Sequence, residues 1–278
     1  MYRKGLVESA DGTPIGYREL GSGPAMVVVH GGMQAAQNFM GLARALADDF
    51  TVCVPDRRGR GRSGPHGPDF TVAREVEDMQ AVIAATGARR IFGLSSGALV
   101  VLRTALATAT LERVVAYEPP LSINGSAPVG WGERVDRELA AGKVVPALIT
   151  ALKGIGTEPV FKHIPRFVLI PAFTLGLRAQ RTVPNGDIPI PDLVPTIHFD
   201  HEIVVELADT LPDYAALTAQ VLLLGGGKSP GYLHTALDAL SGVVPNARRV
   251  TFPELGHSGP DDGGDPARVA PALREFYA

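Results

Sequence analysis

The chain has 278 residues, 45% of them hydrophobic and 20% charged, with a formal net charge of −3, an ordinary globular composition. Lysine and arginine are scattered along it, which excludes the basic footprint expected of a nucleic-acid-binding protein. The single cysteine, Cys53, excludes an intrachain disulfide framework, and a chain of this length buries roughly three quarters of its unfolded surface without such a staple.

Residues Met1–Asp11 contain no apolar run of signal-peptide length, so a cytoplasmic protein is expected. Lys4 to Leu20, interrupted by Asp11-Gly12, reads as a hairpin at a sheet edge. Strands are then expected at Ala25–His30, Thr51–Pro55, Arg90–Leu94 and Arg113–Tyr117. Between them lie helical patterns at Phe39–Ala47, Val72–Ala85 and Ala98–Ala107. Cys53 falls within an apolar strand and reads as a small buried hydrophobe. After a long interruption come a strand at Val221–Leu224, a helix at Tyr232–Leu240, a strand at Arg249–Phe252 and a helix at Pro266–Tyr277. Several strand runs are near-continuous Val, Ile and Leu, as in parallel strands buried on both faces. The alternation predicts an α/β fold, a mostly parallel sheet flanked by helices.

The interruption, residues 121–213, is rich in Pro and Gly with mixed helical patterning. It reads as a helical cap inserted into a core of residues 1–120 and 214–278, over the edge where α/β sheets bind ligands. Phe161, Phe167, Ile170, Phe173 and Leu177 are expected to line its pocket. The most membrane-like stretch, Ile164–Leu177, carries Arg166 and two prolines and is too short to span a bilayer, so no membrane association is expected.

Three motifs carry chemistry. Gly93-Leu94-Ser95-Ser96-Gly97 matches G-x-S-x-G and lies between a predicted strand and a predicted helix, the setting in which the central serine projects above a sheet. Ser95 is therefore the candidate nucleophile. His30-Gly31-Gly32-Met33 ends an earlier strand, where a glycine pair leaves room for a backbone N–H to face a substrate oxygen. Gly32, or Met33 if the loop is turned by one residue, would form an oxyanion hole with the N–H of Ser96. His257, in Glu254-Leu255-Gly256-His257-Ser258 after the last strand, fits the general base in the order Ser…acid…His. His30 is read as structural.

Together with Asp56-Arg57-Arg58-Gly59-Arg60-Gly61-Arg62-Ser63, which is similar to a D-x-R-G-x-G-x-S loop, these elements resemble the α/β-hydrolase superfamily over nearly the whole chain. The resemblance implies a serine hydrolase with no cofactor. The arginine-rich loop is expected to be a solvated structural element at the site entrance. The chain departs from the family pattern in one respect. Most members carry the triad acid after the strand matching Val221–Leu224, yet here the turn is Gly225-Gly226-Gly227-Lys228-Ser229-Pro230, with Ser229 at the carboxylate's place. Some relatives, the haloalkane-dehalogenase-like branch among them, carry the acid one strand earlier, which is where Glu118 stands in Tyr117-Glu118-Pro119-Pro120. Ser95, a hydroxyl nucleophile, argues against the carboxylate-dependent chemistry of dehalogenases and epoxide hydrolases. Asp238 is placed on a helix, and Asp261 and Asp262 are expected to follow His257 too closely to turn inward.

Two further motifs are set aside. Gly227-Lys228-Ser229 lacks the leading P-loop glycine, since Leu222 stands there. His198-Phe199-Asp200-His201-Glu202 fits neither H-E-x-x-H nor H-x-x-E-H, so no metal is expected, and these residues are placed near substrate instead. The expected activity is hydrolysis of an ester, thioester or lactone of a small, fairly apolar molecule by Ser95, His257 and Glu118. The rival expectations are carbon–carbon bond hydrolysis, perhydrolysis or cyclisation on the same scaffold, or ligand binding without catalysis.

Overall fold

In the computed structural model, residues 2–158, 160–179, 183 and 187–278 are described. The first two strands, β1 (Arg3–Glu8) and β2 (Pro14–Leu20), form an antiparallel hairpin, closed around Asp11 and Gly12. β3 (Ala25–Val29), β4 (Thr51–Pro55), β5 (Arg90–Leu94), β6 (Arg113–Tyr117), β7 (Gln220–Gly226) and β8 (Ala247–Phe252) complete the sheet. Its order is β1-β2-β4-β3-β5-β6-β7-β8. The pairs β1–β2 and β2–β4 are antiparallel and every other pair is parallel.

The side-chain period of two decides the layers. Val27, Val29, Ile91, Val114, Ala116, Val221 and Leu223 face one cluster with α2 (Val72–Thr86), α3 (Ser96–Ala107) and a later helix at Gly231–Val243. Met26, Val28, Phe92, Leu94, Val115, Tyr117, Leu222 and Leu224 face the other, with α1 (Met40–Leu46) and a final helix at Pro266–Tyr277. Both faces are therefore apolar, which is why the strands lack hydrophobic-polar alternation. β7 runs past the expected Leu224, because Gly225 and Gly226 still pair with Thr251 and Phe252 of β8.

Between β6 and β7 the chain leaves the sheet. It forms α4 (Gly132–Ala140), α5 (Val144–Ile155), α6 (Val160–His163), α7 (Arg166–Ala179), α8 (Ile190–Leu193) and α9 (Ile197–Glu206). This insertion has its own small cluster of Val135, Ala147, Leu148, Ala151, Leu177, Val194 and Ile197, against which Met33 of the core packs. After it, α10 (Gly231–Val243) and α11 (Pro266–Tyr277) close the two layers. No helix among the described residues is long and apolar enough to cross a membrane.

Candidate active site

Ser95 stands between β5 and α3 with φ 57° and ψ −126°, a conformation that costs a side-chain-bearing residue about 1–3 kcal/mol. Its surroundings enforce it. A Cβ on Gly93 would sit 2.5 Å from the carbonyl oxygen of Gly97, and one on Gly97 would sit 2.3 Å from that of His30. Only glycine allows β5, the turn and the β3 end to approach so closely. The Ser95 N–H donates to the Tyr117 carbonyl at 2.9 Å, so the turn prolongs the β5–β6 ladder by one residue. Ser96, the first residue of α3, leaves its N–H without an intrahelical acceptor.

His257 lies in the loop after β8, 13% exposed at its side chain. Its Nδ1 is 2.6 Å from Oε2 of Glu118, a residue with no exposed surface. Oε1 of the same carboxylate accepts the Gly226 N–H at 2.6 Å. Glu118 sits at the end of β6 with φ 48°, and its N–H donates to Leu224 at 3.0 Å. The Tyr117 hydroxyl donates to the Gly256 carbonyl at 2.8 Å, fixing the residue before the histidine. Ser229 has a buried hydroxyl with no hydrogen-bond partner among the described residues. Ser95 and His257 line one cavity; the hydrogen bonds described join His257 to Glu118 and none joins it to Ser95, and such bonds are commonly loose before substrate binds.

The turn after β3 carries Gly31, Gly32 and Met33 into the same cavity, with Met33 at φ 54°. The Gly31 N–H donates to Oε1 of Gln34 at 2.9 Å. A Cβ on Gly32 would come within 3.2 Å of Oδ2 of Asp200, so this position too is confined. His30 is fully buried: its Nε2 accepts the Arg57 N–H at 3.1 Å and its Nδ1 is 3.0 Å from the Gly31 carbonyl. Burial, with Arg60 and Arg57 nearby, holds its pKa well below the usual histidine range. It is therefore a neutral brace between the two loops.

The arginine loop differs from its sequence-based expectation: Arg57, Arg58 and Arg60 are buried, not solvated. Arg57 makes a bidentate pair with Glu75, both bonds 2.9 Å, and reaches Oδ1 of Asp200 at 2.8 Å. Arg60 reaches Oδ2 of Asp200 at 2.5 Å, and Arg58 pairs with Asp78. Asp200 also accepts the Ser96 hydroxyl at 2.8 Å. Burial alone would raise the Asp200 carboxyl, but Arg60 and Arg57 hold it well below the usual carboxylate range. The readable signal was in α2. Glu75 and Asp78 occupy its core-facing stripe beside Val72, Met79 and Val82, and buried carboxylates require cationic partners.

The cavity above Ser95 has a volume of about 210 Å³. The core contributes Gly31–Gln34, Leu94–Ser96, Tyr232, His257 and Asp261. The insertion contributes Ala127–Val129, Trp131, Leu152, Ile155, Ile197, Asp200, His201 and Val204. None of Phe161, Phe167, Ile170, Phe173 or Leu177 lines it, contrary to expectation: Phe167 is 77% exposed, while Leu177 is buried in the insertion's own cluster. These residues sit on α6 and α7, and the wall is instead formed by α5, α9 and the loop before α4. The expectation for Asp261 also fails. It is 5% exposed and turned into the cavity lining, and burial pushes its carboxyl up to about 6. Asp238 lies on α10, paired with Arg249. His198 and His201 contact Asp136 and the Val129 carbonyl. Among the described residues no group of three or more His, Cys, Asp or Glu is arranged to hold a metal.

Comparison with known proteins agrees with this architecture. The family model described as "Alpha/beta hydrolase family" matches residues 26–272. A solved α/β hydrolase from Sphaerobacter thermophilus is 30% identical with a TM-score of 0.78, covering 99% of this chain and 100% of that one. The enol-lactonase of Burkholderia xenovorans shares the fold at a TM-score of 0.70 and 19% identity, covering 98% and 99% of the two chains. A hydrolase of Bacillus subtilis, itself uncharacterised, is 36% identical over 93 residues, 32% of this chain. That match spans only 34% of the relative's own length.

Proposed function

The chain belongs to the alpha/beta hydrolase family, and on that premise we propose that it is a serine hydrolase of small, fairly apolar carboxylic esters, thioesters or lactones. The observation that carries this reading is the buried Glu118 carboxylate on Nδ1 of His257, with His257 and the strained Ser95 facing one cavity. A carboxylate there fixes the tautomer that leaves Nε2 free to accept a proton, and it stabilises the imidazolium that follows.

The mechanism runs through an acyl-enzyme. Ser95 Oγ attacks the substrate carbonyl carbon as its proton passes to Nε2 of His257. The resulting oxyanion accepts the N–H groups of Gly32 and Ser96, and the N-terminus of α3 favours its charge. As the bond to the leaving group breaks, His257 returns the proton to the departing alcohol, thiol or ring oxygen. Water then attacks the acyl carbon with His257 again as base, releasing the acid and restoring Ser95. The Ser96 hydroxyl, committed to Asp200, is held away from this chemistry. The apolar wall of Leu152, Ile155, Ile197 and Val204 suits an uncharged acyl or alkyl group, and the chemistry draws only on side chains and backbone already in place.

Covalent labelling by a fluorophosphonate, followed by p-nitrophenyl esters of increasing acyl length, tests the proposal. Stoichiometric labelling at Ser95 and turnover favouring short to medium chains are expected. A protein that neither labels nor turns over any ester would be a ligand-binding member of the fold.

A further inference from the structure

Gln34 lies three residues after Gly31 and touches both loops of the site. Its Oε1 accepts the Gly31 N–H at 2.9 Å, and its Nε2 donates to Oδ2 of Asp261 at 2.5 Å. Asp261 is four residues beyond His257, and its Oδ1 accepts the Gly263 N–H at 2.8 Å. A glutamine amide is an acceptor at one end and a donor at the other. Which end faces Gly31 is therefore decided by what faces the opposite end. A carboxylate, already fixed by Gly263, presents only acceptors.

From this geometry we infer that Asp261 is a positioning residue, which through Gln34 orients the Gly31-Gly32 turn so that the Gly32 N–H faces the oxyanion. The inference rests on the serine-hydrolase reading of the site.

The loop does not need this link in order to stay folded. Asp262 ties it independently to α1 and the turn before it, through the Gly41 N–H at 2.7 Å and its own N–H on the Asn38 carbonyl at 2.8 Å. Tyr117 holds it at Gly256. The far side of the oxyanion turn is likewise pinned, with Ala35 on Asn38 and Ala36 on Asp56. At the near side Gln34 holds the Gly31 N–H, while Nδ1 of His30 meets the Gly31 carbonyl. With Met33 at φ 54°, a turn released at Gly31 can relax away from its strained state, taking the donor with it. Burying a carboxylate in the cavity wall is unfavourable, as its raised pKa records, and a donor-directing role accounts for its presence there.

The test is a double-mutant cycle with a built-in reversal. Asp261→Asn can place its NH2 against the NH2 of Gln34, and Gln34→Glu places two carboxylates face to face. In the double variant the introduced asparagine amide donates to the introduced glutamate, whose other oxygen still accepts from Gly31, so the link is restored with its donor reversed. On p-nitrophenyl butyrate each single variant should lose about 10- to 100-fold in kcat, with KM changed less than about threefold, as expected when an oxyanion donor is misplaced. The double variant should recover to within about fivefold of the native enzyme, a coupling that independent losses cannot give. Melting temperature and fluorophosphonate labelling rate are read alongside. Wild-type protein that fails to label would overturn the serine-hydrolase reading itself. Wild-type protein that labels, with Asp261→Asn labelling equally fast or the double variant losing the product of the single losses, would overturn this inference alone.

Discussion

The backbone N–H of Gly226 donates to Oε1 of Glu118 at 2.6 Å. The strand end that carries no carboxylate of its own thus supports one arriving from the neighbouring strand, whose other oxygen meets His257. A Cβ on Gly225 would lie 2.7 Å from Leu237 and one on Gly226 2.5 Å from the Leu255 carbonyl, so these glycines let the end of β7 pack closely against α10 and the loop that carries His257.

Replacing Glu118 by Gln should therefore lower kcat by about 10²- to 10⁴-fold, since the amide leaves His257 without an anionic partner and free to take the wrong tautomer. Ser229→Ala, which removes a hydroxyl that has no hydrogen-bond partner among the described residues, should change kcat by less than about twofold. Steady-state kinetics on one activated ester compares them, and the opposite ranking would remove Glu118 from the triad.

Ser95→Ala should abolish fluorophosphonate labelling and lower turnover by several orders of magnitude, as nucleophile removal does in triad enzymes. Circular dichroism should be unchanged, because the turn is shaped by Gly93, Gly97 and the ladder bond from Ser95 N–H, which alanine retains. Retention of ester hydrolysis would redirect attention to another nucleophile.

Arg57→Ala should destabilise the fold by about 3–5 kcal/mol, because it leaves Glu75 and Asp200 buried without their shared cation. In a domain of this size that corresponds to a fall in Tm on the order of 10 °C, measurable by calorimetry. A fall no larger than that of a surface arginine such as Arg137, which pairs in the open with Glu133, would show that water enters the network.

The buried acids give opposite pH signatures. Asp261 has a raised pKa of about 6, so its contribution to stability is fully present below its unfolded value near 4 and is lost as pH rises through about 6. Two units correspond to at most about 3 kcal/mol. The Tm of Asp261→Asn minus that of the native protein should therefore be most positive, or least negative, near about pH 7.5 and fall steadily toward about pH 4.5. For Asp200, whose pKa is depressed, stability is present above the ordinary carboxylate range and lost as acid protonates it. A pH-independent Tm difference for Asp261→Asn would mean that its carboxyl is solvated.

The layers of this protein were legible in its sequence because they depend on local properties. Runs such as Met26–Val29 and Val221–Leu224 are apolar on both faces, which specifies a parallel sheet between helices before any contact is known. The glycines around Ser95 could be recognised for the same reason, since a turn so confined excludes side chains regardless of what lies beyond it. Side-chain environment could not be read this way. Arg57 and Arg60 lie in a polar, glycine-rich loop that looks solvated, and their burial depends on Asp200, 143 and 140 residues away. Phe167 has the composition of a pocket residue, yet the packing of α7 turns it outward, while Asp261 turns inward because Gln34 and Gly263 offer it hydrogen bonds. Glu118 and His257 are separated by 139 residues, so sequence could name the two partners, but only the order of β6, β7 and β8 in the sheet brings them to one edge. Local sequence fixes backbone preference and hydrophobic period, whereas burial and charge pairing arise between distant segments and exist only once the chain has closed on itself.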